Sequence, residues 1–199
     1  MPKHLPKIVP SALHARRQVL RIAAAGTLLP LISTAARAGF NFFLNEYTAT
    51  REELQAQITR RFPITERYAE IFSVTLLEPR LSLDGASNRA TLAAQLSISS
   101  PLLQPSTVPG RVAVSSALRW DAASLALRLQ DPRAEKVELD GVRGRDAQQL
   151  QRVGAAVAEQ LLQGYALHTF KPEELRVGNK TYQVQGITIG NDAVQVALK

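Results

Sequence analysis

Arg89-Ala90-Thr91-Leu92-Ala93-Ala94-Gln95-Leu96-Ser97-Ile98-Ser99 places Ala90, Leu92, Ala94, Leu96 and Ile98 at every second position. A period of two marks a strand with one buried face, because successive side chains of extended backbone point to opposite sides. Just before it, Asp84-Gly85-Ala86-Ser87-Asn88 has turn chemistry, and Leu81 and Leu83 bracket Ser82 in the same rhythm. Earlier still, Phe72, Val74 and Leu76 alternate with Ser73 and Thr75. After it, Pro101, Pro105 and Pro109 mark a loop. Arg111–Trp120, Leu125–Gln130 and Lys136–Leu139 then read as further strands. From Tyr68 to about Val142 the chain is therefore expected to form a meander of antiparallel strands, several of them long.

Helical signals flank this meander. Leu44–Tyr47 reads as a short first strand, and Thr50-Arg51-Glu52-Glu53 is a capping box. Leu54, Ile58, Arg61 and Phe62 share a face, and Pro63 ends that first helix. A second helix is expected from Asp146, the candidate N-cap. Leu150, Val153, Gly154, Val157, Leu161, Gly164, Tyr165 and His168 fall in one stripe, with Gln148, Arg152, Glu159 and Gln163 opposite. At about 20 residues it would be roughly 30 Å long. Thr181–Ile189 and Ala193–Leu198, joined at Gly190-Asn191-Asp192, read as a closing hairpin. The predicted class is α+β: a curved antiparallel sheet wrapped against a long amphipathic helix, with a short N-terminal helix. Gly154 and Gly164 on the helix stripe leave room for close packing or for a guest.

The N-terminus has a different character. Ala15-Arg16-Arg17-Gln18-Val19-Leu20-Arg21 has the twin-arginine export pattern. An apolar run, Ile22 to Ser33, follows it, and Ala36-Arg37-Ala38 supplies a small-x-small cleavage site. That run is shorter than the roughly 20 residues that span a bilayer. The expected organisation is a twin-arginine signal peptide over 1–38, carried by Arg16, Arg17, Ala36 and Ala38, and a single domain over 39–199.

This segment also explains the charge. The full chain has 24 Lys+Arg against 17 Asp+Glu, net +7. Residues 1–38 hold six of those basic residues and no acid, so the remainder carries 18 against 17, net +1. A near-neutral domain has no electrostatic footprint for phosphate backbones, which excludes nucleic acid as the expected partner. The chain has no cysteine, which removes disulfides, thiolate metal sites and a cysteine nucleophile.

Catalytic signals are sparse. One histidine, His168, lies beyond residue 38. It ends the helix stripe, where a structural or capping role is expected. Asp131, Glu135, Glu138 and Asp140 cluster, but Arg133, Lys136 and Arg143 interleave with them, as on a solvated face. No metal-binding motif or nucleophile elbow occurs. Gly141-Val142-Arg143-Gly144-Arg145 resembles an anion loop before a helix without matching a phosphate-loop spacing. Phe40, Phe42 and Phe43 either lead into the first strand or make a transient membrane contact.

Glu46-Tyr47-Thr48-Ala49-Thr50-Arg51-Glu52-Glu53-Leu54, followed by a helix ending at Arg61-Phe62-Pro63, resembles the start of the YceB-like bacterial lipoproteins. The strand carrying Leu76, Glu78, Pro79 and Leu81, the helix near Asp146–His168 and the terminal strand pair follow in the same order. The resemblance spans about Asn45 to Lys199. It implies a fold similar to tubular lipid-binding domains, in which an apolar groove holds acyl chains, and it carries over no catalytic residue. Unlike that family, the chain has no lipobox cysteine, so a soluble periplasmic form is expected.

Together these readings predict a non-catalytic periplasmic protein that binds a lipid or other apolar ligand between sheet and helix. The groove candidates are Phe72, Val74, Leu76, Leu92, Leu96, Val153, Val157 and Leu161. No cofactor and no metal is expected, and the partners are the ligand and the twin-arginine export machinery. The alternative is a cell-envelope structural or interaction module with a fully packed core.

Overall fold

The computed structural model describes residues 39–41 and 45–199. The signal residues Arg16, Arg17, Ala36 and Ala38 lie outside the described residues, as do Phe42, Phe43 and Leu44. The described residues begin with β1 (Gly39–Asn41), β2 (Glu46–Thr50) and α1 (Arg51–Thr59). The strands β3 (Ile64–Tyr68), β4 (Phe72–Asp84), β5 (Arg89–Ser99), β6 (Thr107–Asp121) and β7 (Ala126–Leu139) follow. Then come α2 (Gly144–Leu162), β8 (Ala166–Thr169) and a 3₁₀ turn, Pro172–Leu175. Last are β9 (Arg176–Val177), β10 (Lys180–Thr181), β11 (Val184–Ile189) and β12 (Ala193–Leu198).

Strands β3 to β8 form one antiparallel six-stranded sheet in chain order. Its rhythm is set by β5, where Ala90, Leu92, Ala94, Leu96 and Ile98 are all buried. Leu96 sits opposite Leu76 on β4 and Gly110 on β6. Register shifts at Leu77/Arg80 and at two places between Ala113 and Ala117 interrupt the ladders. Such bulges bend and twist a strand, and the sheet curls. A second sheet, ordered β1-β2-β12-β11, joins the two ends of the domain, with Tyr47 opposite Val196. Ala49, Val194, Val196 and Leu198 from this sheet share the core with Leu92, Val114 and Leu127.

The short first helix forms as its sequence dictates. The Thr50 hydroxyl accepts from Glu53 N at 3.3 Å, and Glu53 Oε2 accepts from Thr50 N at 3.2 Å. A nine-residue helix is too short to persist alone in water. It is held by burying Leu54 and Ile58, each worth about 1.5–3 kcal/mol when fully withdrawn from water.

The predicted α+β class, one curved sheet wrapped against one long amphipathic helix, is corrected. The protein is mostly β: strands hold 54% of the described residues, and both helices are short. Helix α2 has 19 residues and lies over one end of the sheet, where Gly154 faces Leu96, Ile98 and Val137. The other end is tied to the second sheet. Ile189 N donates to Asn88 Oδ1 at 2.8 Å, and Gly85 N donates to Asn191 Oδ1 at 3.1 Å.

The expected helix ran too far for an identifiable reason. Gly164, at φ +71°, turns the chain after Leu162, a conformation glycine adopts without strain. Tyr165 and His168 fit the helical stripe by spacing, yet the chain leaves the helix before them and His168 sits in β8. The helix also starts earlier than expected. Arg143 is its N-cap, without a side-chain bond, and Asp146 sits in the first turn.

Two strand boundaries change as well. The expected strands Leu125–Gln130 and Lys136–Leu139 merge, apart from Leu125 in the preceding turn, into one strand, β7, which passes through Asp131-Pro132 with Asp131 at φ 48°. Pro109 lies inside β6 rather than in the preceding loop. Its carbonyl accepts from Asp140 N at 2.9 Å. Its missing N–H therefore faces the β7 side where β7 has already ended at Leu139, so no ladder bond is lost there.

Candidate functional site

Where β4 begins and β5 ends, the sheet and α2 part to leave a cleft of about 510 Å³. Phe72, Leu103, Val108, Val142 and Leu150 supply its apolar walls, and Asp146 and Gln149 stand on its α2 side. Each wall residue is there for a local reason. Phe72 opens β4, Val108 takes an inward position at the start of β6, and Leu150 lies on the buried stripe of α2. Leu103 comes from the β5–β6 loop, which closes on Ser100. Leu102 N donates to Ser100 Oγ at 3.2 Å, Leu103 N donates to Ser100 O at 3.2 Å, and Ser100 N donates to Ser106 O at 2.9 Å. A hydrogen-bonded loop therefore presents Leu102 and Leu103 at the lip.

Of the eight groove candidates, Phe72 lines this cleft. Val74, Leu76, Leu92, Leu96 and Val157 are buried in the core, and Val153 and Leu161 are half-buried against it. Gly154 shows how tightly that region is packed: a Cβ there would stand 3.0 Å from Leu96 Cδ2 and 3.3 Å from Ile98 Cδ1. The space beside this glycine is taken by side chains of the sheet.

His168 is buried among aromatic rings. Its centroid lies 4.4 Å from Phe170 and 5.8 Å from Tyr47. Nδ1 is 2.7 Å from Gln57 Nε2, and the buried Nε2 has no hydrogen-bond partner. Burial pushes its pKa below the usual histidine value, against the pull of Glu174 and Glu53. The Tyr47 hydroxyl is pushed up to about 12, first by burial and then by Glu174 and Glu53. These groups are neutral near pH 7 and form a wall of the core.

The carboxylate cluster is dispersed over the outer face. Glu138 contacts Lys136 Nζ at 2.6 Å and Arg111 Nε at 3.7 Å. The bond from Lys136 holds its carboxyl below the usual range. Asp140 lies just beyond the end of β7. Glu78, Arg80, Arg111, Lys136 and Glu138 rim a shallow depression of about 420 Å³ floored by Ala93 and Ala113. Among the described residues, no group of three or more His, Asp or Glu is placed to hold a metal ion.

At the far end of β6 lies a second apolar cleft, of about 440 Å³, walled by Trp120, Leu125, Leu175, Tyr182 and Val184. Phe40 packs on Tyr182 with centroids 5.2 Å apart, and Lys180 Nζ stands 4.7 Å from the same ring centroid. Phe40 thus belongs to the β1–β2 edge of the small sheet.

Sequence reasoning missed Leu102, Leu103, Val108, Val142 and Leu150 as cleft residues. The signal that could have found the lip is Pro101-Leu102-Leu103-Gln104-Pro105, two leucines held in a proline-bracketed loop. Among the described residues, no helix is long and apolar enough to cross a membrane. No family model matches the chain, and no curated protein matches it.

Proposed function

We propose that this is a non-catalytic periplasmic protein that binds a lipid or another apolar ligand at the mouth between the large sheet and α2. The observation that carries the reading is the cleft walled by the apolar side chains of Phe72, Leu103, Val108, Val142 and Leu150, with Gln104, Asp146 and Gln149 supplying polar groups to the same lining. Its size falls within the roughly 300–1,000 Å³ of small-molecule sites. Binding would transfer part of an acyl chain from water to the cleft, about 0.8 kcal/mol per buried CH₂. The packing around Gly154 stops the ligand near the mouth, so the remaining chain or headgroup stays outside. The YceB-like resemblance supports the same reading.

Periplasmic placement rests on Arg16, Arg17 and the Ala36-Arg37-Ala38 cleavage site. Replacing both arginines by lysine should hold the protein in the cytoplasm at full length; unchanged export of that variant defeats the twin-arginine route, and a wild-type protein that stays in the cytoplasm defeats the placement. The ligand reading is tested by native mass spectrometry of the purified protein and by uptake of a fluorescent fatty acid from solution. Saturable uptake supports it; absence of both co-purified lipid and uptake sinks it. The alternative, a cell-envelope interaction module with a packed core, draws on the burial of Val74, Leu76, Leu92, Leu96 and Val157. It requires blank lipid assays and capture of a specific envelope protein.

A further inference from the structure

The exposed large hydrophobic side chains among the described residues are Leu102, Ile71 and Tyr68, with 71%, 45% and 41% of their surface open. All three sit at one end of the domain. Ser73 pairs with Ser99 and Ser99 with Thr107, so the β3–β4 turn and the β5–β6 loop emerge side by side. Leu102 lines the cleft, as does Phe72, the neighbour of Ile71. Apolar side chains spread over a surface by chance need no account, but their convergence at one end of the domain does, with Leu102 in the cleft lining and Tyr68 and Ile71 outside it.

We propose that this end is a membrane-docking tip. Tyr68, Ile71 and Leu102 enter the interfacial layer of a lipid bilayer and set the cleft mouth against the acyl chains. The proposal rests on the apolar-ligand reading of that cleft and adds where the ligand comes from. Three side chains on two loop tips fall far short of the roughly 800 Å² per partner that a stable protein interface buries, whereas shallow insertion needs only such a tip. Pro101 and Pro105 in the loop have no N–H to dehydrate. Arg67, Arg143 and Arg145 are exposed at the same end and form no ion pair among the described residues, leaving them for lipid phosphates. Glu70, Asp140 and Asp146 share that end, so the contact depends on apolar insertion more than on net charge.

The absence of cysteine permits a clean test in the full chain. Leu102→Cys and, at the opposite end of the sheet in the β4–β5 turn, Ala86→Cys each receive one polarity-sensitive dye. Each protein is then mixed with vesicles of phosphatidylethanolamine and phosphatidylglycerol. Residues 1–38 are the same in both proteins, so the comparison reads the position of the dye. The dye at position 102 should shift to the blue and brighten severalfold while the dye at position 86 stays unchanged. Tyr68→Asp combined with Ile71→Asp should cut blue-shifted insertion at position 102 severalfold and leave fatty-acid uptake from solution intact. No shift at 102, or equal shifts at both positions, overturns the docking tip whether or not uptake persists. Insertion at 102 without uptake instead upholds the tip and sinks the ligand reading.

Discussion

Leu81 N donates to Gln55 Oε1 at 2.7 Å, while Gln55 Nε2 donates to Pro79 O at 2.8 Å. One side-chain amide on α1 thus satisfies two backbone groups of β4. Those groups need a partner because the β4–β5 register shifts between Leu77 and Arg80, where Glu78 has φ 47°. Gln55→Ala should cost about 1–3 kcal/mol, the price of orphaning buried backbone groups. Urea unfolding followed by the fluorescence of Trp120, the single tryptophan, checks it. Wild-type stability in this variant would show that water replaces the amide.

Gly154 makes a second, opposite kind of test. Alanine gains up to about 1 kcal/mol over glycine inside a helix, but its Cβ would press on Leu96 and Ile98 at 3.0 and 3.3 Å. Both neighbours are side-chain tips that can give slightly, so Gly154→Ala should come out within about 1 kcal/mol of wild type. Gly154→Val adds volume that the site cannot absorb and should cost about 1–3 kcal/mol by overpacking. A tolerated valine would mean that the space between α2 and the sheet is open rather than packed.

His168 makes stability depend on pH in a defined window. Burial lowers its pKa in the folded state, so the unfolded chain takes up the proton more readily. The stability from this residue is fully present above the ordinary histidine pKa of about 6.5 and is lost as pH falls from there toward the depressed value. The slope from one group is at most about 1.4 kcal/mol per pH unit. His168→Gln should be less stable near pH 8 yet show a flatter decline between about pH 7 and 5. His4 and His14 are present in both proteins and cancel in the comparison. An unchanged slope would place the acid sensitivity elsewhere.

Asp121 acts in a lower window. Hydrogen bonds from Ser124 and Arg128 hold its carboxyl down to about 2. Arg128 Nε contacts Asp121 Oδ2 at 2.7 Å, and Arg128 Nη1 reaches Gly164 O at 2.8 Å, so the group ties the β6–β7 turn to the chain just after α2. Its contribution is present above the ordinary aspartate pKa and is lost as pH falls through about 2. Asp121→Asn should therefore narrow its gap to wild type between about pH 5 and pH 2. A constant gap across that range would show that charge on Asp121 is irrelevant.

What could be read in the sequence was whatever local chemistry determines. The alternation of β5, the Thr50–Glu53 box and the Gly190–Asp192 hairpin each depend on residues close in the chain. Where two readings share the same spacing, tertiary context decided. Asp131-Pro132 looks like a turn, but paired neighbours on β6 carry β7 through it as a bulge. Tyr165 and His168 both satisfy a helical period, but Gly164 ends the helix before them and His168 is used in β8. The fold class was misjudged because the pronounced amphipathic pattern of α2 outweighed short terminal strands whose partners are distant, as with Tyr47 and Val196. The cleft was illegible for the same reason. Phe72, Leu103 and Val142 come from three segments that only the folded chain brings together.

Filling the cleft tests whether it is the ligand seat. Val142 is half-buried on its wall, in the short link between β7 and α2. Val142→Trp should place an indole across the opening while leaving β7 and α2 intact, and stability should change by no more than about 1 kcal/mol, as at other half-exposed positions. Fatty-acid uptake should fall at least tenfold, since the first methylenes of the chain would lose their site. Ala93→Trp, which fills the charged depression on the outer face, should leave uptake unchanged and controls for a general effect of added bulk. If the outer-face variant lost uptake instead, the ligand would sit in the depression around Ala93, and the mouth beneath α2 would be only a gap in the packing.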